Sequence, residues 1–239
     1  MPQNIFVLTG AGILAESGLG TFRDRNGQGA WARFDPMKLA RPEAFGRGPD
    51  TVLAFYDLRR RNLLNAEPNA AHRALARLEQ ALCSRDGHLT LVTQNIDDLH
   101  ERAGSRRAIH MHGELLKARC LHCGSVRLWP EDLSPGDVCP DCGRAGGLRP
   151  HVVWFGEMPL RMDDIDRALR KADLFVAIGT SGAVYPAAGL VAEARAYGLR
   201  TCEINLEAAD NADVFDERRY GVASATVPSW VSELVDEPL

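Results

Sequence analysis

Residues 5–18 read IFVLTGAGILAESG, and the fold turns on how this stretch is taken. Ile5 to Thr9 is a run of strand length without polar alternation, the pattern of a strand buried on both faces of a parallel sheet. Gly10-Ala11-Gly12-Ile13-Leu14-Ala15 follows as a G-x-G-x-x-A turn. Glycine there lets the backbone approach a pyrophosphate, and the helix behind it directs amides at the anion. Strand, turn and helix in that order fit a nucleotide-binding unit, although glycines alone after a strand more often just make a tight turn. The run has no basic leader and Glu16 interrupts it, so it reads as a buried strand and not as a signal peptide.

Working outward, LTLVT (89–93), LFVAIGT (174–180) and RTCEIN (200–205) have the same character. Helical patterns separate them, among them NAAHRALARLEQAL opening at the N-cap candidate Asn69, and YPAAGLVAEARAYG with Pro186 near its start and Gly198 as its stop. This rhythm predicts an α/β fold with a Rossmann-like doubly wound parallel sheet. The chain of 239 residues carries 28 basic against 32 acidic side chains, net −4, which argues against a general nucleic-acid or anionic-membrane binder. No stretch approaches the roughly 20 apolar residues of a membrane span. The expectation is a cytoplasmic monomer acting on small molecules and proteins.

Residues 115–149 break the pattern, being rich in Cys, Gly and Pro with almost no apolar periodicity. Cys120, Cys123, Cys139 and Cys142 form C-x2-C-x15-C-x2-C, whose two knuckles close a tetrahedral site. With four thiolates the metal, one Zn2+, is structural, and it is expected to replace the missing core. A nucleic-acid role for this ribbon is weakened because Lys117, Arg119, Arg127 and Arg144 alternate with Glu131, Asp132, Asp137 and Asp141. The organisation expected is a nucleotide-binding domain from 1–114 and 150–239 with a small inserted zinc-ribbon domain at 115–149, helped by helices from about 32–66. Cys83 and Cys202 are left over and read as buried small hydrophobes.

A dehydrogenase would carry a ribose-binding acid roughly 20 residues after the glycines, at the end of a second strand. Here TFRDRNGQGAW is a polar loop, and an acid appears only in Asn205-Leu206-Glu207, so hydride transfer is disfavoured. TQNID (93–97) sits at a strand's carboxyl end, where ligands bind, but it also reads as a helix start capped by Asn95 or Asp97. In HMHGEL (110–115), an extended backbone would put His110 and His112 on one face, with Gly113 leaving room for a ligand. Spacing does not decide between a base and a satisfied histidine.

Together, GAGILAESGLGTFR, TQNID, HMHGEL, the two C-x-x-C pairs, HVVWFGE, GTS and NLE occur in the order seen in sirtuins, and from Val7 to about Val231 the chain resembles these NAD-dependent protein lysine deacylases. Ala15-Glu16-Ser17 and Thr21-Phe22-Arg23 resemble bacterial members of the desuccinylase-type class. The resemblance implies that Gly10, Ala11, Gly12, Ala15, Glu16, Thr21, Phe22 and Arg23 surround the pyrophosphate and the nicotinamide ribose. It implies that Gln94, Asn95, Ile96 and Asp97 hold NAD bent, Asp97 accepting from the carboxamide and Asn95 orienting the ribose. Gly179, Thr180, Ser181, Asn205, Leu206, Glu207 and Ala223 would take the adenosine side. The acyl-lysine oxygen then displaces nicotinamide, and His112 acts as general base on a ribose hydroxyl. The products are nicotinamide, O-acyl-ADP-ribose and free lysine.

The substrate peptide would lie as a strand along Val152 to Glu157, with Val153, Phe155, Gly156 and Glu157 as its contacts. In AFYDLRRR (54–61), Tyr56-x-x-Arg59 resembles the pair by which the desuccinylase-type class recognises an acyl carboxylate. A spacing of three places both on one helical face. Arg60 and Arg61 read as solvated. Leu14 in place of the family's Ser, Gly20 in place of Pro, and a longer loop before Trp31 bear on loop stiffness and NAD affinity. The rivals are an inactive zinc scaffold, mono-ADP-ribosyl transfer and the disfavoured dehydrogenase. The scaffold predicts loss of His112, Asn95 or Asp97, and all three are present.

Overall fold

The computed structural model describes residues 2–19 and 36–236. Its strands are β1 (Asn4–Thr9), β2 (His88–Thr93), β3 (Ile109–His110), β4 (Gly113–Cys120), β5 (Val126–Leu128), β6 (Leu148–Val152), β7 (Leu174–Ile178), β8 (Arg200–Asn205) and β9 (Glu217–Tyr220). Its α-helices are α1 (Pro36–Leu39), α2 (Pro42–Arg47), α3 (Pro49–Leu64), α4 (Ala70–Cys83), α5 (Leu99–Arg102), α6 (Met162–Leu169), α7 (Leu190–Ala196) and α8 (Ala223–Asp236). No described helix is long and apolar enough to cross a membrane.

Six strands form one sheet in the order β3-β2-β1-β7-β8-β9, parallel at every pairing. β1 lies where the strand order reverses, between β2 and β7, the switch point at whose carboxyl ends open α/β sheets bind ligands. The alternation of strand side chains explains the continuous apolar runs. Ile5 and Val7 join a core with Leu75 and Leu78 of α4 and Trp230 of α8, whereas Phe6 and Leu8 join the opposite layer with Leu169 of α6 and Leu190 of α7. Both faces are covered, as a Rossmann-like doubly wound sheet requires. Asn69 caps α4 through its Oδ1, which accepts the Ala71 N–H at 2.9 Å. Cys202 is buried in the sheet, as expected, but Cys83 is exposed. At the last turn of α4 the inward position falls to its neighbour Leu82, and the thiol follows one residue later on the outer side.

A second sheet, β5-β4-β6, is antiparallel and carries the cysteines. It corrects the expectation that metal alone replaces a core there. Ala118, Leu133 and Leu148 bury together with Cys120, Cys139 and Leu53 of α3, with Phe45 and Trp129 packed beside them. α3 therefore supplies apolar surface that the cysteine-rich segment lacks.

The same helix overturns the reading of Arg60 as solvated. Arg60 is fully buried, pairs with Asp57, and donates from Nε to the Leu115 carbonyl at 3.3 Å. Asp57 Oδ1 also accepts the Leu133 N–H at 3.1 Å, so one ion pair ties α3 both to β4 and to the loop at Leu133. Arg61 stays exposed, donating from Nε to Asp132 at 3.1 Å. Removing one member of a buried pair strands the other. Arg60→Met is expected to lower stability by about 3 to 5 kcal/mol in urea melts, against less than about 1 kcal/mol for Arg61→Met.

Candidate active site

The loops after β1 and β7 touch through backbone alone. Gly10 N–H donates to the Ile178 carbonyl at 2.9 Å and Gly12 N–H to the Gly179 carbonyl at 2.8 Å. A Cβ on Gly12 would lie 2.6 Å from Gly179 Cα, and one on Gly179 would lie 2.5 Å from the Ile13 nitrogen. These glycines are thus required by the mutual approach of two loops at the switch point. The helix after them is a 3-10 helix, Ala11–Ser17, ended by Gly18 at φ 78. Ala15 and Glu16 are exposed on it. The Glu16 carboxylate accepts the Ser224 N–H at 2.9 Å and its hydroxyl at 2.5 Å, at the start of α8 beside Ala223. Thr21, Phe22 and Arg23, with Gly20 and Trp31, lie outside the described residues.

The loop after β2 is tied to the same place. Gln94 N–H donates to the Thr9 carbonyl at 2.9 Å. Asn95 donates from Nδ2 to the Gly10 carbonyl and from its N–H to Thr93 Oγ1, both at 3.0 Å. Ile96 presents its carbonyl to the Leu115 N–H at 2.7 Å. Asp97 is buried, and Oδ1 accepts the Leu99 N–H at 3.1 Å; a helix does start just after TQNID, but its cap position is Asp98, not Asn95 or Asp97. Oδ2 is buried with no hydrogen-bond partner among the described residues. Burial pushes this carboxyl up to about 6.

HMHGEL is not one extended strand. β3 ends at His110, residues 111 and 112 turn, and Gly113 opens β4 at φ 84, where a Cβ would meet the His151 carbonyl oxygen at 2.1 Å. The histidines part accordingly. His110 Nε2 bonds Glu101 at 2.8 Å; burial works against its charged form, but the bond to Glu101 outweighs it and raises its pKa. His112 Nδ1 lies 2.9 Å from the Gln94 carbonyl. A carbonyl only accepts, so Nδ1 carries the proton and Nε2 holds the basic lone pair. Burial lowers the His112 pKa, keeping that lone pair unprotonated at neutral pH.

At the far end of the sheet Asn205 Nδ2 donates to the Thr180 carbonyl at 2.8 Å, and Ser181 Oγ accepts the Ala183 N–H at 3.3 Å. Leu206 and Glu207 are exposed. The sequence reading missed Glu203, which is buried and organises this loop by accepting from Ala209 N–H at 2.9 Å and Tyr220 Oη at 3.2 Å. Its signal was an acid within an otherwise apolar strand.

After β6 the chain turns. Val153 N–H donates to the His112 carbonyl at 2.8 Å and Phe155 N–H to the Ala40 carbonyl at 2.9 Å. Gly156 is exposed at φ 93. Glu157 holds Arg149 through two hydrogen bonds, at 2.6 and 3.0 Å, and accepts the Trp154 N–H at 2.8 Å. Tyr56 of α3 is buried next to this turn, and Arg59 is half-buried with its guanidinium carbon 5.9 Å from the Tyr56 ring. Burial lowers the Arg59 pKa, and the Tyr56 and Asp97 charges oppose that. The guanidinium therefore lies within electrostatic reach of the Asp97 carboxylate.

In the second sheet the sulfurs of Cys120 and Cys142, and of Cys123 and Cys139, lie 3.8 Å apart, and the four ligand atoms fall within 4.8 Å of one another. A tetrahedron with Zn–S bonds of about 2.3 Å has edges of about 3.8 Å. A disulfide would need sulfurs about 2.05 Å apart. The four thiolates fit one structural Zn2+.

The Sir2 family model matches residues 10–186. An NAD-dependent protein deacylase of Caulobacter vibrioides is 60% identical over 235 residues, covering 98% of this chain and 97% of that protein. The NAD-dependent protein deacylase SIR2rp3 of Leishmania major is 56% identical over 239 residues, with the same coverage of 98% and 97%. Among solved structures, a Sir2 homolog–NAD complex superposes with a TM-score of 0.88 at 38% identity, covering 98% of this chain and 90% of that one. A Sir2 complex with a deacetylated p53 peptide and 3'-O-acetyl-ADP-ribose gives a TM-score of 0.78 at 28% identity, covering 99% and 94%. With a matching model over most of its length and near full-length relatives at this identity, the chain belongs to the Sir2 family, the sirtuins.

Proposed function

We propose that this protein is an NAD-dependent protein-lysine deacylase that favours acyl groups ending in a carboxylate, succinyl or malonyl, and also accepts acetyl. The observation that carries the reading is Asp97 Oδ2, buried and without a hydrogen-bond partner among the described residues, in the loop whose Gln94 carbonyl fixes His112. An orphaned buried acceptor calls for a donor from a ligand. The NAD carboxamide offers one, and NAD supplies an anomeric carbon from which nicotinamide can leave. Asp97 Oδ2 accepts the carboxamide N–H. Asn95, its Nδ2 spent on Gly10, presents Oδ1 to a ribose hydroxyl. His112 Nε2 takes the proton from the hydroxyl that attacks the acyl carbon. The loop at Gly179, Thr180 and Ser181, with Asn205, Leu206, Glu207 and Ala223, holds the adenosine side, and Gly10, Ala11, Gly12, Ala15 and Glu16 border the pyrophosphate. Acylated proteins bind as extended segments along Val153, Phe155, Gly156 and Glu157, and a cytoplasmic monomer needs no further partner.

The preference for an acidic acyl group rests on Tyr56 and Arg59. A phenol and a guanidinium converge on one anion, and a hydrogen bond to a charged group is worth about 1.5 to 3 kcal/mol, or roughly 10- to 150-fold. Matched succinyl-lysine and acetyl-lysine peptides incubated with NAD and read by mass spectrometry test this. Arg59→Met is expected to lower succinyl kcat/KM by about 10- to 150-fold, and acetyl kcat/KM far less. Equal losses would leave Arg59 with a structural role, and wild-type turnover of acetyl alone would remove the acidic preference.

A further inference from the structure

Tyr56 is almost entirely buried, and its oxygen lies 2.9 Å from Trp154 Nε1. An indole nitrogen only donates, so the phenol oxygen accepts this bond and its own proton must point elsewhere. Among the described residues that proton meets no acceptor. Two loose hydroxyl rotamers would blur the direction, but the indole cannot swing. Its ring lies with the Arg149 guanidinium carbon 3.3 Å from its centroid and Phe45 5.4 Å away. Arg149 is itself fixed by Glu157 and by the Val152 carbonyl, to which Nη2 donates at 2.7 Å, and Glu157 also takes the Trp154 N–H. Burial pushes the Tyr56 phenol up to about 12, so it keeps its proton at working pH.

Resting on the acidic-acyl reading above, we propose that Trp154 is a positioning residue for acyl selectivity. By occupying the Tyr56 lone pair, it leaves the phenol O–H as a donor to the acyl carboxylate. Arg149 and Glu157 clamp the indole in the pose that does so. Without the indole N–H, Tyr56 can turn its proton away, and the carboxylate loses a pre-aimed donor while the hydrophobic wall remains.

Trp154→Phe removes the N–H and keeps an aromatic ring. The expected result is that the succinyl-to-acetyl ratio of kcat/KM falls about 3- to 10-fold, mostly through a higher succinyl KM. In a Tyr56→Phe background the same substitution is expected to leave that ratio where Tyr56→Phe put it, because Trp154 acts through the phenol. Additive losses across this double-mutant cycle, or an equal loss on both peptides, overturn the inference. If the wild-type protein removes only acetyl, the acidic-acyl reading fails first, and the two failures are thereby told apart. Should Trp154→Phe not fold, the Trp154 indole N–H resonance of the wild-type protein, assigned through Tyr56→Phe, reads the same contact. It is expected to shift more with succinyl- than with acetyl-lysine peptide in the presence of NAD, and equal shifts would overturn the inference.

Discussion

Replacing His112 with Ala is expected to lower acyl-lysine turnover by about 10²- to 10⁴-fold while the protein stays folded. The imidazole meets Gln94 through Nδ1, so its loss removes one hydrogen bond at the rim of the site and leaves the sheet untouched. Steady-state rates beside a thermal melt separate the two effects, and a variant with near wild-type turnover would end the assignment of His112 as base. The pH profile follows from the same geometry. Burial lowers the His112 pKa, so its base form persists below the usual histidine range and is lost only as pH falls further. Burial raises Asp97 to about 6, so its carboxylate is an anionic acceptor above that value and becomes protonated below it. Both changes disable the site on the acid side, and kcat/KM is expected to fall as pH drops through about 6. Asp97→Asn would leave only the His112 limb, at lower pH.

Stripping the metal is expected to abolish activity altogether, although no cysteine lies in the NAD loops. Structural zinc sites contribute apparent binding free energies of about 10 to 16 kcal/mol in small peptides, which is more than the stability of a typical domain. The small sheet has only a modest core of its own, so chelation or Cys139→Ala should unfold it. β4 begins directly after His112, and Val153, directly after β6, donates back to the His112 carbonyl. Both ends of the metal module therefore brace His112. Hydrogen exchange over residues 113–152, run beside a turnover assay, checks this. Unchanged protection after complete zinc release would show that the apolar cluster suffices.

What the sequence made legible follows its physics. Strands buried on both faces announce themselves as apolar runs, and Asn69 and the four cysteines are read from local rules of capping and ligand spacing. The misreadings arise where tertiary context decides. Arg59, Arg60 and Arg61 are adjacent letters, but helical rotation sends them to the Tyr56 ring, the buried Asp57 pair and the exposed Asp132 pair. His110 and His112 part because the strand stops at His110 and Gly113 takes a conformation other residues avoid. Trp154 and Arg149 pass as ordinary strand-end residues until the stacking between them is seen. Glu203 has no local motif, since its donors come from Ala209 and Tyr220 on two later segments.

The place of β1 at the middle of the sheet also governs how the chain must be made. It precedes both of its neighbours in the chain, and its register partners are Leu89 and Leu174 for Ile5 and Thr93 and Ile178 for Thr9. Two long chain closures are needed before β1 is paired on both sides, which puts the fold among the slower, non-local topologies. Until β7 leaves the ribosome, Ile5 to Leu8 remain an open apolar edge on that side, a template for pairing with another nascent chain. Slower translation or added chaperone is therefore expected to raise the soluble fraction on expression.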